Sequence, residues 1–199
     1  MQLTANQLDA LRELINIGVG QAAGMLNEMI EFRIQLQIPV IKLLSAESLR
    51  DELLERFGSE RLSAVQLGFS GSFAGTAELV FPTESAATLV AVLTGEELGS
   101  PDLDSLKIGT LSEVGNIVIN GVMGSISNVL EQPLRYAVPS YTEANLDNLV
   151  PFKDSGESTA ILLAQARFEI EELQVQGDII LFFDIGSFKA LLLAIEAMG

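Results

Sequence analysis

A glutamate and an asparagine three residues apart occur twice in this chain, each time within an apolar stretch. The first pair is Glu13 and Asn16 in LRELINIGVGQ, and the second is Glu113 and Asn116 in LSEVGNIVING. Residues at this spacing share one face of a helix, so each pair sets a carboxylate beside a carboxamide. A single exposed pair is commonplace, but its repetition indicates a duplicated site or a duplicated constraint on the fold.

The chemistry open to such a pair is narrow. A carboxamide does not remove a proton at neutral pH, but it donates and accepts hydrogen bonds and can therefore orient a water molecule. Oriented water serves phosphoryl hydrolysis, which depends on positioning and charge neutralisation. A carboxylate one turn away can pair with a lysine or arginine of a partner. Because the sequence has no GxxxxGK[ST] phosphate cradle, the phosphoryl group and any metal would arrive on that partner.

Composition excludes several other kinds of chemistry. The chain has 199 residues, with no cysteine and no histidine. Disulfides, thiolate metal sites, a cysteine nucleophile and a serine–histidine triad are therefore impossible. Catalysis would depend on carboxylates, amides, hydroxyls, lysine or a metal that another molecule supplies.

The charge of the chain limits its partners. A formal net charge of −16 disfavours nucleic acids and anionic membrane surfaces, and it favours solubility or a basic partner. The longest uncharged run, 114–130, contains three asparagines, two serines and three glycines, which disfavours insertion into a membrane. Charged residues near the N-terminus argue against a secretory signal, so we expect a cytoplasmic protein.

Hydrophobic periodicity and turn residues predict the elements of the first half. They are a helix over 4–31, a strand over 32–44, a helix over 45–58, two strands within 63–82 and a helix over 83–95. Thr4 is predicted to cap the first helix together with Gln7, and Pro39 predicts an edge position or a bend in the first strand. The glycine-rich GVGQAAG follows no strand, which favours close helix packing over phosphate binding.

The second half follows the same order after a polar, turn-rich seam at 96–106. Its predicted elements are a long helix over about 104–131, a strand over 133–139, a short helix or loop over 140–150, a hairpin over 158–185 and a helix over 186–199.

The two halves also align residue by residue. Residues 11–40 match 111–140 without a gap, and residues 79–93 match 181–195. Because each half is too small to bury a large core alone, the two are expected to share one sheet and one core. We therefore predict a single domain over 1–199, built from two α-β-β-β-α repeats at 1–96 and 103–199.

The residues around both pairs resemble the motif of the CheC/CheX/FliY family of chemotaxis phosphatases, and the standalone CheC branch in particular. In that motif an Asp or Ser, a Glu, an Asn and a Pro are separated by three, two and twenty-two residues, and Asp9, Glu13, Asn16 and Pro39 match it fully. The resemblance covers the whole chain, because its length, its duplication and both motif copies agree with the family.

The second motif copy is less complete. It has Glu113, Asn116 and Pro139 at the same spacings, but Gly109 stands at the Asp or Ser position. Glycine supplies no side chain there and weakens helical propensity, which puts the efficiency of the second site in question.

The resemblance implies an α/β (α+β) fold with a mostly antiparallel sheet shared by two pseudo-twofold-related repeats, and with the two motif helices outside it. It also implies an enzyme that hydrolyses the aspartyl phosphate of a CheY-like response regulator. By this resemblance, Asn16 and Asn116 orient the attacking water, whereas Glu13 and Glu113 pair with the regulator's lysine. The resemblance also implies that the protein has no cofactor of its own and that Mg²⁺ is carried by the regulator.

The resemblance assigns supporting roles to the remaining motif residues. Asp9 is expected to position the helix or assist docking, and Pro39 and Pro139 are expected to be structural. Members of this branch can also bind CheD, a receptor-modifying deamidase, so CheD is a possible partner here.

Three alternatives remain open. The protein could bind the regulator or CheD as an adaptor without turnover. It could be a flagellar switch subunit of the FliY or FliM type, although we expect no room here for the extra segments of those proteins. Asp9 and Glu13 could also bind Mg²⁺ in a metalloenzyme, but two carboxylates are few ligands for such a site.

Overall fold

A computed structural model describes residues 3–29, 34–149, 159–170 and 175–197 of the chain. The first half forms α1 (Ala5–Met29), β1 (Ile34–Leu44), α2 (Ala46–Phe57), β2 (Arg61–Gly71), β3 (Gly75–Pro82) and α3 (Thr83–Thr94). The second half forms α4 (Pro101–Val129), β4 (Leu134–Tyr136), β5 (Ser140–Asn145), α5 (Leu146–Leu149), β6 (Thr159–Ile170), β7 (Asp178–Asp184) and α6 (Ile185–Glu196). Predictions for 30–33, 150–158, 171–174 and 198–199 lie outside the described residues.

The strands of the two halves interleave in one antiparallel sheet. Its order is β1-β6-β7-β3-β2-β4, and β5 also pairs with β2. The first strand of each half therefore pairs with the other half, because β1 pairs with β6 and β4 and β5 pair with β2. Replacing each strand by its counterpart in the other half reverses this order, so the sheet has a pseudo-twofold arrangement about the β3–β7 pair.

Alternation of side chains along the strands divides the core into two clusters. On β3, Leu79 and Phe81 belong to the cluster under α1, α3, α4 and α6, whereas Val80 belongs to the cluster under α2 and α5. The two long motif helices thus cover one face of the sheet from outside, as expected. Among the described residues, no helix combines the length and the hydrophobicity needed to cross a membrane.

Helices α1 and α4 pack against each other at two glycines. A Cβ atom added to Gly18 would lie 2.5 Å from the Cα of Val122, and one added to Gly121 would lie 2.8 Å from the Cβ of Ala22. Real Cβ atoms do not approach this closely, so the missing side chains allow the two helices to touch. The close packing predicted for GVGQAAG is confirmed at Gly18, whereas Gly24 faces open space.

The motif prolines interrupt equivalent strands of the two halves. The register of β1 against β6 shifts between Gln37 and Val40, at Pro39. In the second half, Pro139 lies in the break that divides the corresponding strand into β4 and β5. These strands are at the two edges of the sheet, where a residue without an N–H is tolerated. The edge position and the bend predicted at Pro39 are both confirmed.

The cap predicted for α1 is also confirmed. The backbone N–H of Thr4 donates to Oε1 of Gln7 at 2.9 Å, and the N–H of Gln7 donates to Oγ1 of Thr4 at 3.2 Å. This reciprocal pair satisfies donors that the first turn of α1 leaves without helical partners. Ser45 caps α2 in the same way by accepting a hydrogen bond from the N–H of Ser48 at 3.1 Å.

Three predictions for the second half differ from the structure. The strand predicted over 133–139 is limited to β4, Leu134–Tyr136. Residues 140–145 form strand β5, and only Leu146–Leu149 is helical. The strand is short and largely polar, so its sequence lacks the alternation of polar and apolar residues that predicts a strand. It forms because it pairs with β2. Helix α4 begins at Pro101, a residue that suits the first helical position, so the seam is shorter than predicted. Gly109 consequently lies in the third turn of α4 and not near its start.

We expect Gly18→Ala to lower the free energy of unfolding by about 1–3 kcal/mol, because the added methyl group would push α1 away from the backbone of α4. Gly24→Ala is the matched control. A methyl group there meets no atom within 4 Å, and it should raise stability by about 1 kcal/mol through helix propensity. Urea unfolding measures both values. Equal stability of the two variants would contradict close contact at Gly18.

Candidate functional site

The first Glu–Asn pair lies on the solvent-facing side of α1. Glu13 is exposed and Asn16 is half-buried, so the pair sits beside the buried apolar stripe, as its spacing predicted. Asp9 is exposed one turn earlier, and its Oδ1 accepts a hydrogen bond from Nη1 of Arg12 at 3.2 Å. Within the described part of the chain, Glu13 and Asn16 form no side-chain hydrogen bond or ion pair. Their polar atoms are therefore available to another molecule.

The second pair lies on the equivalent side of α4 but has an additional neighbour. Glu113 is exposed, and Asn116 is half-buried. Nδ2 of Asn120 donates a hydrogen bond to Oδ1 of Asn116 at 2.7 Å. This bond orients the Asn116 carboxamide and occupies one acceptor position of its oxygen. The corresponding residue of α1 is Gly20, so Asn16 lacks such a restraint.

Gly115, which lies between Glu113 and Asn116, allows α4 to pack closely against the sheet. A Cβ atom added to Gly115 would overlap the side chain of Val65 on β2. In α1 the equivalent position is Ile15, which is fully buried. Helix α4 therefore approaches the sheet closely at the turn that carries Glu113 and Asn116. The contact fixes the backbone from which both side chains project.

The missing motif residue leaves a cleft beside Glu113. The cleft has a volume of about 430 Å³ and lies between the end of α3 and the N-terminal half of α4. Its walls include the apolar residues Leu93, Leu106 and Val114, together with Gly109. A Cβ atom added to Gly109 would meet no atom within 4 Å, so an Asp or Ser there would fit without a clash. The second site is thus more open and more apolar than a full motif would make it.

The structure joins only some of the predicted site residues. Each Glu shares a helix face with its own Asn, and Asp9 extends the face of the first pair. The two pairs themselves stay on separate helices. Pro39 and Pro139 lie on strands, so their contribution is to the shape of the sheet edges.

A metal site is not built by these carboxylates. No group of three or more Asp or Glu side chains that could hold a metal ion occurs among the described residues. Asp9 and Glu13, the carboxylates of the metalloenzyme alternative, would supply two ligands, and Asp9 is already paired with Arg12. A divalent ion usually takes more oxygen ligands than that.

Comparisons with known proteins show which proteins this chain is similar to. No protein-family model matches the chain. The chain is similar to the CheY-P phosphatase CheC of Bacillus subtilis, with 25% identity over 96% of this chain and 94% of that protein. The comparisons support the CheC/CheX/FliY family. The resemblance inferred from the duplicated motif is thereby confirmed.

Solved structures show that the fold is the one expected for a CheC-like protein. Thermotoga maritima FliY superposes over 100% of both chains with a TM-score of 0.78 and 18% identity. A chain of the CheX–CheY–BeF3–Mg²⁺ complex from Borrelia burgdorferi covers 85% of this chain and 97% of its own length, with a TM-score of 0.57 and 18% identity. These superpositions support the predicted fold, a mostly antiparallel sheet with helices packed on it.

Two residues beside the second Glu–Asn pair of this CheC-like chain, Asn120 and Gly115, were not predicted from the sequence. Asn120 follows Asn116 by four residues, the spacing at which helical side chains meet, so its signal was present in the sequence. The role of Gly115 depends on Val65, which is fifty residues away, and no local pattern indicates that contact.

A separate group of polar side chains lies on the opposite face of the sheet. Glu78 of β3 is only 2% exposed. Its Oε1 accepts a hydrogen bond from Nε2 of Gln66 at 3.2 Å, whereas its Oε2 has no hydrogen-bond partner among the described residues. A buried polar group in this condition costs about 1–3 kcal/mol. Burial raises the pKa of Glu78 to about 7.

We expect Glu78→Gln to remove a pH dependence of stability. The pKa of Glu78 is raised on folding from 4.5 to about 7, so the folded protein holds this proton more tightly. The stability contributed by the protonated carboxyl is full below pH 4.5 and is lost as the pH rises through 7. The difference between the two pKa values corresponds to about 3 kcal/mol.

Urea unfolding between pH 4.5 and pH 8 tests this expectation. The stability of Glu78→Gln relative to the wild type should rise across that range by up to about 3 kcal/mol. Glu84→Gln, which removes an exposed carboxylate from α3, is the matched control and should follow the wild type. A constant difference between Glu78→Gln and the wild type at every pH would contradict the raised pKa.

Proposed function

We propose that this protein hydrolyses the aspartyl phosphate of a CheY-like response regulator. The main support is that two equivalent helices on the outside of one sheet each carry an exposed glutamate beside a half-buried asparagine. The similarity to a CheC that is named a CheY-P phosphatase supports this function. So does the fold shared with a chain of a CheX–CheY–BeF3–Mg²⁺ complex.

In this proposal, Asn16 and Asn116 position the attacking water. Each carboxamide can accept a hydrogen bond from water and donate one to a phosphoryl oxygen. The water oxygen bonds to phosphorus while the bond from phosphorus to the aspartyl oxygen breaks, which yields inorganic phosphate and a free carboxylate. Neutralisation of charge on the phosphoryl group would be supplied by Mg²⁺ bound to the regulator. The asparagines need only hold the water in line, so no histidine or cysteine is required.

Glu13 and Glu113 serve docking in the same proposal. Both carboxylates are exposed one turn from their asparagines, and an incoming lysine can reach them without a large rearrangement. A charge-assisted hydrogen bond to the regulator's lysine would fix the distance between the asparagine and the phosphoryl group. The net charge of −16 also favours approach by a basic surface.

The two sites are not equivalent. The first has Asp9 and an unrestrained Asn16, whereas the second has Gly109 and an Asn116 that Asn120 holds in place. Pre-orientation of Asn116 lowers the entropy lost when the water is bound. The open cleft next to Glu113 removes docking contacts that a side chain at Gly109 would supply.

We expect the double variant Asn16→Ala with Asn116→Ala to lower the dephosphorylation rate by about a hundredfold, because both water-positioning groups are lost. Regulator binding should change little, since the carboxamides act mainly in the transition state. Each single variant should retain activity through the other site. The decay of a phosphorylated CheY from the same organism, with Mg²⁺ present, measures the rates.

An unchanged decay rate in the double variant would contradict the role given to the asparagines. Binding of the phosphorylated regulator by the wild type without any faster decay would favour the adaptor function over the phosphatase. Asn27→Ala with Asn128→Ala is the matched control, because these asparagines are also exposed on α1 and α4.

Glu13→Gln and Glu113→Gln are expected to weaken binding of the regulator, because a neutral amide cannot form the ion pair with lysine. The loss for the two changes together should be at least about tenfold in Kd, the usual scale for a charged hydrogen bond. Calorimetric titration with the BeF3-activated regulator measures it. Unchanged affinity would remove the lysine-pairing role.

We expect Asn120→Ala to lower the turnover of the second site by several-fold without weakening regulator binding. The change releases Asn116 from its 2.7 Å hydrogen bond while keeping good helix propensity. The measurement uses an Asn16→Ala background, in which only the second site turns over. Asn128→Ala in that background is the control. Equal kcat for the two variants would show that Asn120 does not position Asn116.

CheD remains a proposed second partner of this CheC-like protein. Co-purification with CheD would test that interaction separately from turnover.

A further inference from the structure

Four residues lie side by side across the centre of the sheet, and the two halves of the chain carry different side chains there. Gln66, Glu78, Ile180 and Leu163 are successive partners on β2, β3, β7 and β6. The pseudo-twofold arrangement relates Glu78 to Ile180 and Gln66 to Leu163. Ile180 and Leu163 are both fully buried. The same position in the fold therefore accepts an apolar pair, and the polar pair of the first half is not needed to build the sheet.

A cavity borders the polar pair between the sheet and α5. Its volume is about 290 Å³, and its walls include Gln66, Glu78, Thr142 and Asn148. Gln66, Thr142 and Asn148 are exposed, whereas Glu78 is buried below them. The cavity thus opens to solvent through a polar rim and has a carboxyl group at its floor. All four side chains carry oxygen atoms that accept hydrogen bonds.

The part of the chain that the structure describes places no cationic partner on this carboxyl group. Among the described residues, no lysine or arginine forms an ion pair with Glu78. Arg56 covers the same face of the sheet but pairs with Asp178 at 2.8 Å. Oε2 of Glu78 also lacks a hydrogen-bond donor within the described residues. A ligand with a positive charge and N–H donors would supply the counter-ion and the hydrogen bond that the Glu78 carboxylate lacks.

We propose that this cavity binds a small organic cation, an alkylammonium or alkylguanidinium, with Glu78 as its counter-ion. The oxygens of Gln66, Thr142 and Asn148 accept the remaining N–H groups at the rim. The volume of about 290 Å³ is at the low end for ligand pockets, which restricts the ligand to a small molecule. The site lies on the face of the sheet opposite the motif helices and is independent of the proposed phosphatase function.

Titration with simple probes tests the proposal. Propylammonium and propylguanidinium, at constant ionic strength and pH 8, are added to the full chain while NMR follows the side-chain carboxyl carbon of Glu78 and the amides of Thr142 and Asn148. Above the pKa of about 7 the carboxylate predominates. We expect saturable shifts at all three residues. Propan-1-ol, which has no charge, should produce none.

Two variants separate a ligand site from a structural role. Glu78→Gln keeps the shape of the side chain and should weaken probe binding by at least about tenfold, since the charged partner is lost. The double change Gln66→Leu with Glu78→Ile copies the apolar pair of the other half. It should fold, with a midpoint of urea unfolding no lower than that of the wild type, and it should not bind either probe.

The remaining results would overturn the proposal. The proposal would be wrong if neither probe bound the wild type saturably. It would also be wrong if Glu78→Gln bound the probes as tightly as the wild type, or if propan-1-ol bound as well as the cations. Failure of the double variant to fold would show that the polar pair serves the fold instead. Glu84→Gln, which removes one exposed carboxylate, should bind both probes like the wild type. Equal weakening by Glu84→Gln would indicate an effect of net charge and contradict a specific counter-ion.

Discussion

The hydrogen-bonded pairing of strands between the two halves is the constraint on which the rest of the structure depends. β3 and β7 meet at the centre of the sheet, and the first strand of each half completes the other half's side. Each side of the sheet is therefore completed by a strand from the other half. Because each motif helix directly precedes the strand that crosses over, the interleaved sheet also determines where α1 and α4 lie. The positions of both Glu–Asn pairs follow from the fold of the whole chain.

Close contacts at small residues fix which faces of α1 and α4 point to solvent. Gly18 and Gly121 let α1 and α4 touch, and Gly115 lets α4 settle on Val65 of the sheet. With their apolar stripes buried in these contacts, the helices can present the Glu–Asn pairs only to the outside. An exposed carboxylate beside an oriented carboxamide suits a chemistry in which the partner brings the phosphoryl group and the metal.

Duplication has left two copies that share a backbone but differ in their surroundings. Asn120 restrains the second amide, and Gly109 borders a cleft beside Glu113 where the first copy carries Asp9. The opposite face of the sheet has diverged as well, since the first half carries Gln66 and Glu78 where the second carries Leu163 and Ile180. The symmetry of the fold thus serves as an internal reference, because it separates what the sheet requires from what one half has added.

Sequence patterns predicted the elements whose signals are local. The apolar stripe of α1, the Thr4–Gln7 cap and the strand bend at Pro39 each depend on residues close in the chain. β5 was missed because Ser140–Asn145 is short and polar, and its partner β2 is distant in sequence. The start of α4 at Pro101 was misplaced because the polar seam resembled a turn.

The site was predictable to a similar extent. The position of Glu13 and Asn16 beside the buried stripe followed from helical periodicity. The contact of Gly115 with Val65 and the burial of Glu78 depend on strands that only folding brings near. The duplicated motif therefore indicated a candidate site, but it did not reveal the differences between its two copies.

A structure of this protein bound to a CheY-like regulator activated with BeF3 and Mg²⁺ would test the proposed function directly, because beryllofluoride stands in for the aspartyl phosphate. We expect the carboxamide of Asn16 or Asn116 to lie within hydrogen-bonding reach of the beryllofluoride or of a water in line with it. We also expect the neighbouring glutamate to contact the regulator's lysine. A complex in which both Glu–Asn pairs face solvent, away from the regulator's active site, would contradict the phosphatase mechanism.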